Sequence, residues 1–269
     1  MREWLLCFLQ IIAYGVGVMT ACGLAIELCH RLCFLLLGRR GSRVLWYATV
    51  PFGAPVHELG HAVMCLVFCH RIEKIRLLPT KGQNACVVHT YNQRNVYAAF
   101  GNLCIGIGPL LSGLGVIFLV LYLVFPSALV AYEDAVTLLG SEGASVHLGE
   151  QLGRFLLGLV TEQARPLWAR LLGGYLLFSM ALHVRLSTAD VYEMRSGIPG
   201  VLLLSAIGAT AAVVFDAPVR AAMTGALKEF ALLVVALFSI IFLIALILVI
   251  FAALIRLVCA VLGIKIGGK

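Results

Sequence analysis

Residues 56–64 place two histidines and a glutamate in the pattern H-E-x-x-H, inside a segment that is otherwise apolar. On an α-helix, residues four apart lie on the same face, so His57 and His61 can bind the same metal ion. Glu58 follows the first histidine directly and can reach a metal-bound water as a general base without being a ligand itself. Because the chain holds only seven histidines in 269 residues, a chance match is rare. The pattern therefore predicts a metal site with a general base beside it.

A third metal ligand has to come from elsewhere in the chain, since a catalytic zinc site usually has three protein ligands and a water. Asp190 is the preferred candidate because it lies in a polar patch that directly follows an apolar segment. His183, two helical turns earlier, and Glu193, three residues later, are the alternatives. Ser187 offers a different interpretation of Asp190, because a serine followed by an acid three residues later resembles a helix-capping pattern that needs no metal. The sequence leaves these alternatives open.

The composition restricts the class of protein sharply. Hydrophobic residues make up 62% of the chain and charged residues 12%, and the mean hydropathy is +1.03. Such a chain is too apolar for a soluble domain and is typical of a polytopic membrane protein. The net charge of +7 lies in short segments between apolar runs, where basic residues contact lipid headgroups and orient the chain. The bilayer is therefore the expected partner, and a nucleic acid is not.

The nine cysteines do not form a recognisable metal-binding or disulfide framework. Most of them lie in or beside apolar segments, and they lack paired C-x-x-C spacings. They are therefore interpreted as small buried hydrophobic residues. Ionisable residues inside apolar segments are, in contrast, candidates for a functional role, because placing a charge in a membrane costs free energy.

Six segments are long and apolar enough to cross a bilayer about 30 Å thick, which takes roughly 20 residues each. They cover residues 4–26, 44–69, 97–125, 167–186, 198–215 and 230–255. Neither an internal repeat nor a linker divides the chain. The sequence therefore predicts an all-α polytopic membrane protein with a single domain over residues 1–269 and a core at about 44–215.

The charges between these segments predict the orientation of the chain. Basic residues follow the second segment, whereas acidic residues dominate the loop at 126–166. Under the positive-inside rule this loop is external and both termini are cytoplasmic, although the arginines between the first two segments then lie on the wrong side. The expected location is the cell membrane, with several crossings. An amphipathic helix is expected near 146–159, and the loop is too short for an independent ligand-binding domain.

The segment 72–89 has the character of a β-hairpin. Pro79 and Gly82 separate two short strand-like runs. Because lipid does not tolerate exposed strand edges, the hairpin should pack beside the helix of the H-E-x-x-H pattern or line a wet cavity. Its unpaired edge could accept an extended peptide by strand addition. An ordinary surface hairpin is the alternative interpretation.

A run of small residues follows at 101–113, with Pro109 inside it. Small residues let helices approach closely, so tight packing against the H-E-x-x-H helix is the first explanation. Asn102 carries the amide side chain of this run. A role for Asn102 in binding a substrate or polarising its carbonyl group is the second explanation.

Taken together, these features resemble the site-2 protease family of intramembrane zinc metalloproteases. The resemblance rests on the H-E-x-x-H pattern, the basic strand-like segment after it, the Gly-Ile-Gly-Pro run at 106–109 and an aspartate near a later helix. It covers roughly residues 44–110 and 180–200. The PDZ domain of many family members has no room in this chain.

The resemblance implies a specific site and activity. Zn²⁺ would be bound by His57, His61 and Asp190, and Glu58 would be the catalytic base. The substrate would be a membrane protein, cleaved at a peptide bond in or near a membrane-spanning segment. Part of that segment would have to unwind, because the amide groups of a membrane helix are hydrogen bonded to one another and are not accessible to a protease.

Other classes of function remain open. A membrane scaffold could keep the metal site without proteolysis, although the position of Glu58 beside both histidines favours an active site. A transporter could use intramembrane histidine and glutamate residues for ions or protons, but it should show two related halves, which are not evident. A membrane zincin of another type, with a glutamate as third ligand, would use Glu193 or Glu229.

Overall fold

The computed structural model describes residues 1–80, 82–138, 144–214 and 217–262. Within them the chain is mainly helical, with a small two-stranded sheet. The helices are α1 (Arg2–Ile12), α2 (Val18–Val67), α3 (Val96–Val124), α4 (Pro126–Leu138), α5 (Ala144–Thr161), α6 (Leu167–His183), α7 (Thr188–Met194), α8 (Ile198–Val214) and α9 (Ala217–Val261). The strands are β1 (Arg71–Arg76) and β2 (Cys86–Thr90). The predicted all-α, membrane-like fold with a small hairpin is confirmed.

Four helical runs in the described residues are long and apolar enough to cross a membrane. They are Arg2–Val67, Val96–Val124, Ala189–Val214 and Pro218–Val261. The prediction of six separate spans is therefore not confirmed. The first two predicted segments belong to one helical run, and the segment at 167–186 corresponds to α6, which has only 17 residues. The last residue of the predicted segment 198–215 lies outside the described residues.

The long N-terminal run is not a straight rod, because the chain reverses at Gly38. This residue has a φ angle of 65° and a ψ angle of −179°, a conformation that favours glycine. His30 bonds to the carbonyl oxygen of Ala181, and Thr49 hydrogen bonds to the nearby His183 side chain. In one straight helix, His30 and Thr49 would lie about 28 Å apart. The two limbs of α2 therefore run in opposite directions along α6.

The second limb of α2 meets α3 at a backbone-to-backbone contact between Gly60 and Gly108. A β-carbon on either glycine would lie 2.5 Å from the carbonyl oxygen of the other. Ser112 strengthens this contact by donating a hydrogen bond to the carbonyl oxygen of Val56, with a length of 2.9 Å. The close packing predicted for 101–113 is therefore present, and it holds α3 against the turn that carries the two histidines.

We expect Gly60→Ala to destabilise the protein, because the added methyl group would meet backbone atoms that cannot rotate away. Overpacking of this kind costs about 1–3 kcal/mol. Gly115 is the matched control, since it lies on α3 with nothing within 4 Å of the position of an added β-carbon. Gly115→Ala should be neutral or slightly stabilising. Thermal unfolding in detergent measures both variants, and equal melting temperatures would contradict the predicted contact.

The segment after α2 forms the predicted β-hairpin. β1 and β2 pair in antiparallel fashion, with Arg76 opposite Cys86. Thr80 and Gln83 close the turn through two backbone hydrogen bonds, of 2.9 and 3.1 Å. Strand β2 and the residues just before it line a cavity beside the H-E-x-x-H helix. The structure thus favours the cavity-lining hairpin over an ordinary surface hairpin.

Residues 126–166 are more regular than the predicted acidic loop. The amphipathic helix expected near 146–159 lies within α5, and α4 adds a second helix before it. Glu162, just after α5, connects α5 to α4, since its carboxylate accepts hydrogen bonds from the backbone amide (3.2 Å) and the hydroxyl (2.8 Å) of Ser127. The bond from the Ser127 hydroxyl is the main reason why the pKa of Glu162 lies below its ordinary value. Residues 139–143 of the predicted loop lie outside the described residues.

The apolar core of the described residues joins several helices. It contains fully buried residues of α3 and α6, such as Leu110 and Met180. Ile240 and Ile241 of α9 belong to the same core. Helix α9 therefore packs as part of the same body as the helices that carry the candidate site.

Candidate metal centre

Four of the predicted residues meet beside one cavity. His57, Glu58 and His61 come from α2, and Asp190 comes from α7. Atom Nε2 of His61 lies 3.2 Å from Oδ1 of Asp190, and Nε2 of His57 lies 3.7 Å from Oδ2. One donor atom from each of the two histidines and the aspartate lies within 4.8 Å of the other two. These three side chains are close enough to bind the same metal ion.

The orientation of His61 depends on a carbonyl group that Pro109 leaves free. Atom Nδ1 of His61 donates a hydrogen bond of 2.8 Å to the carbonyl oxygen of Ile105. In a regular helix that oxygen would accept from residue 109, but proline has no N–H group. The Gly-Ile-Gly-Pro run therefore supplies the acceptor that orients this histidine, in addition to allowing close packing.

His57 is oriented by the end of another helix. Its Nδ1 atom donates a hydrogen bond of 2.8 Å to the carbonyl oxygen of His183. His183 is the last residue of α6, and the final carbonyl groups of a helix lack an intrahelical donor. The two histidines of the pattern are thus held by two different helices.

These hydrogen bonds make the three side chains suitable for Zn²⁺. Because Nδ1 carries the donated proton, each neutral ring has a lone pair on Nε2, and both lone pairs face the carboxylate of Asp190. Such acceptors repel one another unless a proton or a cation lies between them. Metal-ligating histidines almost always donate their other N–H group in this way. Two imidazoles and one carboxylate suit zinc and leave a fourth position for water.

Asp190 caps a helix and faces the histidines at the same time. Its N–H group donates to the Ser187 hydroxyl (3.1 Å), and its Oδ2 atom accepts from the Ser187 N–H group (2.6 Å). The capping box considered from the sequence is therefore confirmed. Atom Oδ1 remains directed at His61. The capping interaction holds the carboxylate in place, so the two interpretations of Asp190 are compatible.

A cavity of about 400 Å³ opens beside these residues. The candidate ligands and Glu58 line it, together with residues 84–87 and Arg185. Glu58 is only 7% exposed. Its carboxylate faces the backbone amide of Val87 in β2. The candidate base, the candidate ligands and the second strand therefore share one small cavity.

The alternative third ligands are occupied elsewhere. Atom Nε2 of His183 lies 3.0 Å from the hydroxyl of Thr49. The carboxylate of Glu193 lies 3.4 Å from Nε2 of His89. Glu229 belongs to α9 and is not among the residues that line the cavity. Within the described part of the chain, only the aspartate joins the two H-E-x-x-H histidines in a group that could hold one ion.

Asn102 is not brought to the cavity with the other predicted residues. It is 3% exposed, and its Nδ2 atom donates a hydrogen bond of 2.8 Å to the hydroxyl of Ser196. In this structure it connects α3 to the turn after α7. Its role in substrate binding stays a prediction that no contact here supports.

A second group of possible metal ligands lies close together in the described residues, and none of its members was a predicted site residue: Cys65, His70 and His89. Cys65 follows His61 by four residues and therefore continues the same face of α2, which is the signal that could have drawn attention to it. Burial lowers the pKa of His70 and favours its neutral form. The interpretation of all the cysteines as simple hydrophobic residues overlooked this juxtaposition.

Comparison with known proteins does not place the chain in a family. No model of a known protein family matches it, and neither does any curated protein or solved structure. The resemblance to site-2 proteases therefore rests on the residues themselves. The function has to be argued from the geometry and chemistry of the site.

Proposed function

We propose that the protein is an intramembrane zinc metalloprotease of the site-2 protease type. One observation carries the proposal: His57, His61 and Asp190 direct free acceptor atoms at one another, beside the buried carboxylate of Glu58. Structural zinc sites are usually closed by four protein ligands, whereas this group provides three. An open position next to a candidate base favours a hydrolytic site over a purely structural one.

The chemistry of hydrolysis follows from these side chains. Bound Zn²⁺ would lower the pKa of a water molecule towards about 7 and polarise the scissile carbonyl group. His57, His61 and Asp190 would hold the ion. Glu58 takes the proton of the attacking water and then passes it to the nitrogen of the leaving amine. Its position directly after His57 keeps it close to the reacting atoms without making it a ligand.

The substrate class is a membrane protein with a spanning segment, and strand β2 is where we place its unwound part. β2 pairs with β1 along one edge and has no second strand partner among the described residues. The strand lines the cavity, and the amide of Val87 faces Glu58. An extended peptide bound along the free edge would therefore lie close to the candidate base.

The location of the protein follows from its apolar helices. The long apolar helices indicate a membrane protein. We further propose a multi-pass protein of the cell membrane whose cavity opens towards the cytoplasm, since the basic residues around the hairpin favour that side. Water would reach the site through this opening.

The direct test is cleavage of a defined peptide in proteoliposomes. The probe is a single-span peptide with glycine and proline at its centre, labelled at both ends, and the comparison is the same span built from leucine. We expect cleavage of the glycine–proline peptide, because its central amide groups are free to enter the site. Removal of the metal by a chelator should slow cleavage at least about 100-fold, and Zn²⁺ should restore it.

Three outcomes distinguish the alternatives. Zinc-dependent cleavage of the unwound span supports the protease. One bound zinc ion at this site without cleavage of either peptide would contradict the protease and favour a metal-binding scaffold. A folded protein that binds no metal would contradict both and would leave an ion or proton transporter.

A further inference from the structure

We propose that Cys65, His70 and His89 form a second metal site of the zinc class, separate from the one described above. One donor atom from each of these residues lies within 4.8 Å of the other two. Cys65 lies near the end of α2, His70 in the turn that follows, and His89 on β2. An ion bound here would therefore connect the hairpin to the helix of the H-E-x-x-H pattern.

The hydrogen bonds of the two histidines carry this proposal. Atom Nε2 of His70 donates to the carbonyl oxygen of Ala98 at 2.8 Å. Atom Nε2 of His89 donates to the carboxylate of Glu193 at 3.4 Å. Each neutral ring is therefore left with a lone pair on Nδ1, and the two Nδ1 atoms are 3.0 Å apart. Two lone pairs repel at that distance, so the pair needs a shared proton or a cation.

The same pattern of outer hydrogen bonds is typical of metal-ligating histidines, whose second nitrogen is bonded to a carbonyl or carboxylate. Tetrahedral zinc with its usual bond lengths places two ligating nitrogens about 3.3 Å apart, and a nitrogen and a sulfur about 3.6 Å apart. The observed nitrogen separation of 3.0 Å is close to the first of these values. A thiol brought into such a site loses its proton to become a ligand.

The three donors are buried and held in place by the local backbone. Cys65 is fully buried and His70 is 4% exposed, and the side chain of His89 is 7% exposed. Cys69 has a φ angle of 58°, unusual for a residue other than glycine. This turn allows the N–H group of His70 to bond to the Cys65 carbonyl oxygen at 2.8 Å. The ring of His70 also stacks on Tyr91, with centroids 4.7 Å apart.

The two groups lie next to each other, because α2 supplies residues to both and α7 supplies a ligand to the first and a hydrogen-bond partner of His89 to the second. Cys65 follows His61 by four residues on α2, and Glu193 follows Asp190 by three residues on α7. The ligand sets nevertheless differ in chemistry, because a thiolate is present only in the second group. Zinc is the favoured ion for imidazole and thiolate ligands together, with the fourth position left for water. The proposal does not require the protein to be a protease.

The test is a Co²⁺ titration of the full chain, purified in detergent and stripped of metal. Cobalt bound to a thiolate gives a charge-transfer band in the near ultraviolet, which the two-histidine, one-aspartate group cannot produce. We expect two ions per chain, one for each group, with the band present. The Cys65→Ser variant should lose the band and one ion. Added Zn²⁺ should displace the bound cobalt and abolish the band.

Control variants separate this site from its surroundings. Cys69→Ser changes the exposed neighbouring cysteine and should keep the band. His89→Gln is a second variant, on the hairpin, which should weaken cobalt binding at this site even if Cys65→Ser fails to fold. The double variant His57→Ala with His61→Ala should lose one ion and keep the band.

The outcomes are decisive for each site in turn. A wild-type protein without the band, or a band that survives Cys65→Ser, would overturn the second site. A band lost with Cys69→Ser would also overturn it, because the sulfur ligand would then be the wrong cysteine. A band without the other ion would support the second site while contradicting the zinc centre of the proposed protease.

Discussion

The Glu58→Gln variant should bind zinc as the wild type does and lose nearly all cleavage of the glycine–proline peptide. Glutamine keeps the size of the side chain but cannot accept the proton of the attacking water. General-base catalysis by a positioned carboxylate contributes about 10²–10⁴-fold, and we expect a rate loss in that range. Zinc content is measured per chain on the same preparation, so that loss of the ion is separated from loss of the base.

The control for this variant is Glu73→Gln. Glu73 is an exposed carboxylate on β1, where it accepts a hydrogen bond from Thr90, and it is not among the residues that line the cavity. Its variant should cleave at the wild-type rate. Cleavage by Glu58→Gln at the wild-type rate would contradict the mechanism, because the buried carboxylate would then have no part in proton transfer.

The Asp190→Ala variant should lose the zinc ion held by the H-E-x-x-H helix and lose cleavage with it. Removing a residue that hydrogen bonds to a metal ligand lowers the metal affinity about 10–100-fold. Removing a ligand itself should therefore lower the zinc affinity at least about 100-fold. The comparison is His183→Ala, which removes a side chain bonded to Thr49 but keeps the carbonyl group that orients His57. This comparison variant should retain zinc. Zinc titration against a competing chelator measures both affinities.

Ser187→Ala separates metal binding from helix capping. Asp190 takes part in a capping box with Ser187, so its loss could act through α7 alone. Ser187→Ala removes the hydroxyl acceptor but leaves the backbone N–H group that bonds to the carboxylate. Loss of a cap costs about 0.5–2 kcal/mol of stability. Equal loss of zinc in Ser187→Ala and Asp190→Ala would show that Asp190 acts through the cap and not as a ligand.

Local sequence signals predicted the elements that follow short-range rules. The spacing of His57 and His61 determines that they share a helix face, whatever the helix packs against. Pro79 and Gly82 interrupt two strand-like runs, and the chain accordingly forms a hairpin between β1 and β2. Ser187 three residues before Asp190 indicated the capping box. Each of these features depends on residues close together in the chain.

The number of spans was harder to predict from the sequence. Hydropathy measures how far an apolar segment extends but does not locate the points where the chain reverses. The first two predicted segments lie in one helical run, which reverses at Gly38 through a backbone conformation that glycine allows but does not dictate. The short helix α6 is apolar along much of its length, yet it has only 17 residues. Apolar length therefore predicted six segments, whereas four helical runs in the described part of the chain are long and apolar enough to cross a membrane.

Residue types and their spacing are enough to place two imidazoles and a carboxylate on one helix, in a chain too apolar for a soluble domain. The tertiary structure decided which distant groups complete that chemistry. It brought Asp190 to the histidines and placed the carbonyl group freed by Pro109 against His61. It also brought His89 of the hairpin to Cys65 and His70, which lie five residues apart in the chain. A helix or hairpin is specified by residues that are neighbours in the chain, whereas a site assembled from several elements depends on how those elements pack.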